Sequence, residues 1–190
     1  MNRRDFLKAG ACLGAISAGG LVLPADVSAQ TLGPDLGFNL MQGTRTLNLV
    51  RPESGERFNF EYMQDGRWLD NAYPDLCWLM RDIHINRGVQ MDYNLIGILD
   101  WSQWYLRQYG YTQPFQILSG YRSKSTNRNT EGAAKNSQHM YGKAIDLRIP
   151  GLSAEYLGKL FLWLSRGGVG VYPGRDFVHI DTGRVRTWRG

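Results

Sequence analysis

Two histidines and one aspartate stand at positions where they could share a metal ion. His139 and Asp146 lie seven positions apart across Gly142, and a β-prone segment follows them. His179 lies within residues 177–181, a short alternation of apolar and polar side chains that predicts a strand. Two imidazoles and a carboxylate suit zinc and leave one coordination position open for water. Spacing alone leaves a second interpretation open, a hydrogen-bonded pair of structural histidines.

Zinc held by His139, Asp146 and His179 would make hydrolysis possible. A bound zinc ion lowers the pKa of its water from about 15.7 toward about 7, and it polarises a carbonyl group. A carboxylate is still needed to take the proton and pass it to the leaving amine. The three residues therefore predict a metal-dependent hydrolase that carries a nearby acid or base.

Two aspartates flank His179 and compete for that acid or base role. Residues two apart share a face of a strand, so the pleat favours Asp181, either as the base or as the partner that orients the imidazole. Asp176 precedes His179 by three positions and follows the Pro173-Gly174 turn, where the chain need not keep the pleat. Strand geometry by itself favours Asp181 over Asp176.

Arg122 is the remaining candidate for chemistry. It follows Gly120 at the predicted end of a strand, and its guanidinium could donate two hydrogen bonds to a carbonyl oxygen or a developing oxyanion. A surface ion pair, which contributes little to stability, is the equally open alternative. His84, the third histidine, lies in an amphipathic segment and is interpreted as structural.

Alternating and helical patterns predict the elements that hold these residues. Residues 45–50 and 57–62 predict a β-hairpin whose Leu47, Leu49, Phe58 and Phe60 face the core. Helices are predicted over three segments with start and stop signals: residues 73–83, the segment from Asp92 to Gly110, and the segment from Ser153 to Leu164. The aromatic residues of the second helix are interpreted as core and groove wall rather than as a platform for sugar; they are Trp101, Trp104, Tyr105 and Tyr109.

The second half of the chain alternates strands with turns. Strands are predicted at 114–118, 143–149, 169–172 and 177–181, a polar surface loop at 124–135, and a basic tail that ends near Trp188. The irregular order of strands and helices predicts a single small α+β domain over residues 44–190 rather than a doubly wound parallel sheet. Its sheet is expected to be mainly antiparallel with flanking helices, and the zinc site is expected on loop and strand ends.

The first 29 residues read as a removable leader. Residues 2–8 carry a twin-arginine pattern, an apolar run follows to Leu23, and Ala29 ends a small-residue cleavage site before Gln30. The run of about 15 residues is shorter than the roughly 20 that span a bilayer. We therefore expect export by the twin-arginine route to the periplasm or cell envelope, with no stable membrane insertion afterwards and a loose segment at 30–43.

Composition and charge agree with an exported single domain. The chain has 190 residues, 43% of them hydrophobic and 21% charged, which is ordinary for a soluble globular protein. Its two cysteines are Cys12, in the leader, and Cys77, which is interpreted as a core residue. The net charge of +5 comes without a run of Lys and Arg, and an anionic polymer such as the cell wall fits this charge as well as nucleic acid, which an exported protein rarely meets.

Four ordered motifs resemble the M15 zinc peptidases. They are Ser119-Gly-Tyr-Arg-Ser123, the segment from Ser137 to Asp146, Gly167-Gly-Val-Gly170, and the segment from Phe177 to Gly183. Within that family they look closest to the exported murein endopeptidases that cut cross-links between diaminopimelate residues. The resemblance covers most of residues 113–190 and implies a small α+β fold with one zinc ion per chain.

The resemblance also implies roles for single residues. His139, Asp146 and His179 fall on the family's zinc ligands, and Arg122 falls on the arginine that stabilises the transition state. Asp176, three residues before the last ligand, falls on the catalytic acid or base, which reverses the preference for Asp181. Tyr121 and Ser137 lie within the matching motifs and are expected to contact substrate.

The resulting hypothesis is a monomeric zinc-dependent murein endopeptidase whose partners are peptidoglycan stem peptides and their cross-links. A D,D- or L,D-carboxypeptidase that trims stem peptides is the first alternative. A peptidoglycan-binding module that keeps its metal only for structure is the second. The sequence does not choose between 3-3 and 4-3 cross-links.

Overall fold

The computed structural model describes residues 42–190. The leader predicted over residues 1–29 and most of the loose segment 30–43 lie outside the described residues. The described part contains eight strands, β1 (Thr44–Val50), β2 (Arg57–Gln64), β3 (Arg67–Trp68), β4 (Phe115–Ser119), β5 (Ala144–Arg148), β6 (Gly168–Tyr172), β7 (Phe177–Asp181) and β8 (Arg186–Arg189). It also contains four α-helices, α1 (Ala72–Leu79), α2 (Tyr93–Gln108), α3 (Lys124–Asn129) and α4 (Ala154–Leu164).

All eight strands belong to one sheet, in the order β3-β2-β1-β4-β5-β7-β6-β8. Only the pairs β1 with β4 and β6 with β8 are parallel in this part of the chain, and the other pairs are antiparallel. The predicted α+β fold with a mainly antiparallel sheet is therefore confirmed. No helix among residues 42–190 has the length and apolar character needed to cross a membrane.

The hairpin of β1 and β2 forms as predicted, with one error in its core residues. Leu47, Leu49 and Phe58 are buried, whereas Phe60 is 57% exposed and packs edge-on against Phe58. A register shift at the start of β1 leaves Tyr62 as an extra residue in β2. Tyr62 and its neighbour Met63 are both buried, so they close the core at the end of the strand instead of Phe60.

The helices follow their sequence signals at the start more closely than at the end. Asp92 caps α2, where its Oδ1 accepts the N–H of Asn94 at 2.9 Å, and Ser153 caps α4. Helix α1 is shorter than predicted and ends at Leu79, because the next residues turn back to pair Asp82 with Arg87. The predicted boundary at residue 83 was wrong.

Two segments predicted as irregular contain regular structure. The polar loop at 124–135 begins with α3, which Ser123 caps by accepting the N–H of Thr126 at 3.1 Å. The basic tail forms β8, a parallel partner of β6. Both elements are short and strongly polar, so neither shows an apolar periodicity that could have predicted it.

The apolar side chains that were assigned to the core divide into two groups. Trp101 and Cys77 are buried, as predicted, and burial raises the pKa of the Cys77 thiol to about 12. Trp104 and Tyr109 are exposed, at 37% and 62%, so their assignment to the core was wrong. Their rings belong to an aromatic cluster on the outer side of α2, in contact with Trp101 and Tyr105.

The sheet separates the core from the face that carries the predicted ligands. Ile145 and Leu147 of β5 and Val178 and Ile180 of β7 lie in the same buried cluster as the apolar residues of α4. Asp146 and His179 alternate with them and therefore point to the opposite face. The central strands thus place the ligands on the side of the sheet away from the core.

Candidate metal centre

His139, Asp146 and His179 meet at one point, as the sequence predicted. Asp146 and His179 are direct partners in the antiparallel ladder of β5 and β7. His179 Nδ1 lies 2.9 Å from Asp146 Oδ1 and 3.1 Å from His139 Nε2, and His139 Nε2 lies 3.2 Å from the same carboxylate oxygen. All three residues are buried. They form the one group of at least three potential metal ligands within residues 42–190.

His139 is brought to this point by a short 3₁₀ helix, Gln138–Tyr141. Ser137 caps the helix, and its Oγ accepts the N–H of His139 at 3.4 Å. Gly142 ends it in the left-handed conformation, with φ of 67°, which favours glycine. The glycine between His139 and Asp146 in the sequence therefore turns the chain from the helix into β5.

Each of the two imidazoles carries its proton on the nitrogen that points away from the other ring, so the unprotonated nitrogens face each other. His139 Nδ1 donates to the main-chain carbonyl of Gly120 at 2.6 Å, and His179 Nε2 donates to Asp181 Oδ2 at 2.9 Å. Because these acceptors fix both tautomers, His139 Nε2 and His179 Nδ1 present lone pairs beside the Asp146 carboxylate. Such a cluster of acceptors is stable only with a cation or a proton among them.

A divalent metal fits this set of donors. Ligand atoms that lie 2.0–2.2 Å from a tetrahedral ion are about 3.3–3.6 Å apart, close to the 2.9–3.2 Å separations in the structure. In metal sites, an imidazole that binds the ion through one nitrogen typically donates the N–H of its other nitrogen to a carbonyl or carboxylate. His139, Asp146 and His179 can therefore hold a metal ion.

The electrostatics keep Asp146 and His139 in the forms that bind a metal ion. Burial alone would raise the pKa of Asp146, but His139, His179 and Arg122 offset burial and hold that pKa well below its usual range. Burial lowers the pKa of His139. Burial would lower the pKa of His179 too, yet hydrogen bonds to Asp146 and Asp181 raise it. At neutral pH the carboxylate is charged and His139 is neutral, as metal ligation requires.

Arg122 forms an ion pair with the Asp146 carboxylate and is largely buried. Its Nη2 forms an ion pair with Asp146 Oδ2, the oxygen that does not face the histidines, and its Nε donates to Ser119 Oγ at 2.8 Å. Its main-chain N–H donates to the carbonyl of His139 at 3.2 Å. The surface ion pair considered from the sequence is therefore excluded. The predicted contact with an oxyanion stays a prediction.

Both carboxylate oxygens of Asp181 accept hydrogen bonds from groups within the protein. Its Oδ2 accepts from His179 and from Arg186 Nη2 at 2.6 Å, while Oδ1 accepts from Arg186 Nη1 and from the N–H groups of Gly168 and Gly183. Burial would raise its pKa, but these donors lower it well below the usual range. The geometry favours the orienting role for Asp181 over the role of base.

Two glycines in β6 allow β8 to support this arrangement. A Cβ on Gly168 would lie 2.2 Å from Arg186 Nη1, and one on Gly170 would lie 2.5 Å from the indole of Trp188. Because both positions lack a side chain, Arg186 and Trp188 lie flat across β6. Arg186 thereby reaches Asp181, and the Trp188 ring lies 5.1 Å from the His179 ring. The sequence patterns did not indicate either residue, because both roles depend on the pairing of β8 with β6.

The ligands open into a cleft of about 460 Å³. Its walls carry Ser137, whose contact with substrate stays a prediction, and also five residues that the sequence did not single out: Glu131, Arg175, Tyr172, Phe177 and Trp188. Glu131 carries the only side-chain carboxylate on the described wall apart from that of Asp146. It lies in a polar stretch without periodicity, where no sequence signal distinguishes it from its neighbours.

Three of the predicted residues lie away from the cleft lining. Tyr121 is half-buried against the hydrophobic core, and its N–H donates to the Met80 carbonyl at 2.7 Å. Asp176 is exposed, in the left-handed conformation with φ of 48°, just before β7. Asp181 is buried behind His179. The structure thus brings together the three ligands, Arg122 and Ser137 but does not bring Tyr121 or Asp176 into the wall.

Comparison with known proteins gives consistent matches over nearly the whole chain. The family model Peptidase_M15_2, described as peptidoglycan L,D-endopeptidase MepK, matches residues 39–188. The probable peptidoglycan L,D-endopeptidase MepK of Haemophilus influenzae is 35% identical over 196 residues, which cover 100% of this chain and 96% of that protein. The peptidoglycan L,D-endopeptidase MepK of Escherichia coli K12 is 33% identical over 191 residues, covering 98% and 97%.

Proposed function

Because the chain belongs to the M15 peptidase family described as peptidoglycan L,D-endopeptidase MepK, we propose that it hydrolyses peptide cross-links in peptidoglycan with one metal ion. The observation that carries the proposal is the convergence of His139 Nε2, His179 Nδ1 and an Asp146 oxygen at the base of an open cleft. Within the family, the names of the relatives further support a bond of the L,D type as the one that is cut.

The metal is proposed to be zinc, because two imidazoles and one carboxylate are typical of catalytic zinc sites. When bound, zinc polarises the scissile carbonyl and activates water for attack. The protein residues then have separate tasks. Asp181 and the Gly120 carbonyl hold the two imidazoles with their lone pairs toward the ion. Arg122 balances the charge of Asp146, and its guanidinium is proposed to donate to the substrate's carbonyl oxygen.

Proton transfer requires a carboxylate that can reach solvent or substrate. Asp176 is proposed for this role because it occupies the family's acid or base position, three residues before His179. Its side chain is exposed and forms no hydrogen bond or ion pair within residues 42–190, so its oxygens are free to accept a proton. Glu131 is the competing candidate, because it lines the cleft.

The site of action is proposed to be the periplasm or cell envelope. The support is the twin-arginine pattern in residues 2–8 and the short apolar run behind it. Fusion of residues 1–35 to a reporter that is active only after export should give signal in cells with a working twin-arginine pathway. Changing Arg3 and Arg4 to Lys together should abolish that signal. An unchanged signal would argue against this route.

The activity is tested with purified protein and cross-linked muropeptide dimers that contain either an L,D or a D,D bond at the cross-link. Zinc-loaded protein should convert the L,D dimer to monomers, a chelator should stop the reaction, and added zinc should restore it. An unchanged dimer fraction with loaded protein contradicts the proposed function. Product masses separate the alternatives, because a carboxypeptidase shortens monomers and leaves the cross-link intact.

The acid or base is assigned by comparing Asp176→Asn with Glu131→Gln at equal zinc occupancy. We expect Asp176→Asn to lower kcat by at least about 100-fold, the range for loss of a general base, and Glu131→Gln to keep most of the activity. The reverse result would assign the role to Glu131. Measuring the metal content of each variant shows whether a lost activity reflects chemistry or lost zinc.

A further inference from the structure

Three arginines line the cleft, and two of them already have carboxylate partners. Arg122 pairs with Asp146, and Arg186 pairs with Asp181. Arg175 differs, because its guanidinium forms no hydrogen bond or ion pair with any described residue. It is the cleft arginine whose N–H donors remain available to a ligand.

Arg175 is held in place by aromatic rings. Its Cζ lies 4.9 Å from the ring centre of Tyr172 and 5.1 Å from that of Phe177. These two rings are stacked, with centres 4.4 Å apart and planes inclined by 9°. Contact with aromatic rings is favourable for a guanidinium and does not use its N–H groups. The rings therefore position the cation without neutralising it.

The aromatic support of Arg175 continues to the ligand His179. Trp188 Nε1 donates to the Tyr172 hydroxyl at 2.8 Å, and the Trp188 ring contacts the His179 ring. The short 3₁₀ helix Pro173–Arg175 then carries the arginine from the end of β6 toward β7. A continuous wall of packed rings thus connects the metal centre to Arg175, so that both face the same cleft.

We propose that Arg175 binds a free carboxylate of the substrate peptide and so determines specificity for an anionic stem peptide. The inference rests on the proposed function, which makes a peptide with free carboxylates the substrate. A guanidinium presents N–H groups in a planar fork that matches a carboxylate. Arg175 alone among the cleft arginines can offer this fork without breaking an existing ion pair.

The test compares two substrates that differ only in this charge. One is the cross-linked muropeptide dimer with free diaminopimelate carboxylates, and the other is the same dimer with those carboxylates converted to carboxamides. The wild-type protein is compared with Arg175→Gln and with Arg189→Gln. Arg189 is a matched control, since it is an exposed arginine on β8 that pairs with Glu155 and is not part of the cleft wall.

Arg175→Gln should raise KM for the carboxylate dimer about tenfold, the effect of losing a hydrogen-bonded ion pair, with little change for the carboxamide dimer. Calorimetry with metal-free protein, which cannot cleave the dimer, should show the same difference in binding. Arg189→Gln should behave as wild type with both substrates.

Equal effects of Arg175→Gln on both dimers, or no effect on either, would overturn the carboxylate subsite. These results would leave the proposed function intact, because wild-type protein would still cleave the dimers. If wild-type protein cleaves neither dimer and binds neither, the proposed function itself fails. The two failures are therefore distinguishable from one set of measurements.

Discussion

The two histidine ligands are held in opposite ways. His139 donates its Nδ1–H to a main-chain carbonyl, that of Gly120, whereas His179 donates its Nε2–H to the side chain of Asp181. A substitution cannot delete a main-chain acceptor, so the hydrogen bond that orients His139 is lost only if the backbone moves. The orientation of His179 depends on a relay of two side chains, Asp181 and Arg186. A substitution can remove either of them separately.

The backbone on the His139 side is fixed by close packing. A Cβ on Gly120 would lie 2.2 Å from the carbonyl oxygen of Met80 and 2.8 Å from its Cβ. The same Met80 carbonyl accepts the N–H of Tyr121, and Asp82 Oδ2 accepts the N–H of Ser123 at 2.8 Å. The segment that supports His139 is thus bonded to the turn after α1, and a displacement of either segment would move the ligand.

Gly120→Ala should therefore have the largest effect on the molecule. The new methyl group clashes with a main-chain carbonyl, which cannot rotate away, so we expect a loss of more than about 3 kcal/mol in the free energy of unfolding. The Gly120 carbonyl would also move away from His139 Nδ1, and zinc affinity should fall by at least about 100-fold. Chemical denaturation and a zinc competition assay measure the two effects.

Gly174→Ala is the matched control for this prediction. Gly174 lies on the 3₁₀ helix before β7, and a Cβ there would meet no atom within 4 Å. The control should change stability by less than about 0.5 kcal/mol, as expected for an exposed position without special geometry. If Gly120→Ala unfolds at the same denaturant concentration as Gly174→Ala and binds zinc equally well, the backbone does not hold His139 in the way described.

Asp181→Asn should have the next largest effect, on the opposite side of the site. The amide keeps the size of the carboxylate but loses its charge, so His179 and Arg186 lose the stronger acceptor. Loss of such an orienting partner typically costs 10–100-fold in metal affinity. We expect the zinc dissociation constant to rise by about that factor, with the secondary structure seen by circular dichroism unchanged.

An affinity within twofold of wild type would contradict the orienting role of Asp181. Glu131→Gln serves as the control, since it removes a carboxylate from the cleft wall without touching either imidazole. It should leave zinc affinity unchanged. Zinc binding rather than turnover is the measured quantity, so the result does not depend on which residue transfers the proton.

The sequence could predict those features of the site that depend on local patterns. The ligands His139, Asp146 and His179 lie in short local patterns, where a glycine, a cap and a strand alternation fix each side chain. The Asp181 partner of His179 follows from the same strand, because residues two apart share a face. Local patterns therefore predicted the convergence of these three residues, the strands that carry them and the fold class, whereas their role as metal ligands stays a prediction.

Residues whose roles depend on distant contacts were not predicted. Arg186 reaches Asp181 only because β8 pairs in parallel with β6, a non-local contact that a four-residue strand does not indicate. Gly120 matters because of Met80, which lies forty residues earlier in the chain. Arg175 and Glu131 differ from other polar residues of the chain only because both line the cleft. These residues acquire their roles from the packing of the sheet, which single-sequence patterns do not encode.

Arg186→Met should have the smallest effect of the three and tests how far the relay extends. The thioether chain keeps most of the packing across Gly168 but removes both hydrogen bonds to Asp181. Asp181 keeps its bonds to His179, Gly168 and Gly183. Because the acceptor stays charged and only its support is lost, we expect zinc affinity to fall by about three- to tenfold, less than for Asp181→Asn.

Arg189→Met is the control on the same strand, since Arg189 pairs with the exposed Glu155 and does not contact Asp181. It should leave the affinity unchanged, as expected for a surface ion pair. Imidazole nitrogen chemical shifts of the metal-free protein report the mechanism, because neutral His179 should keep its proton on Nε2 in wild type and lose this preference in part in Arg186→Met. An affinity loss equal to that of Asp181→Asn would mean that Arg186, rather than the carboxylate, fixes His179. No loss would mean that the relay ends at Asp181 and that the two histidines each depend on a single acceptor.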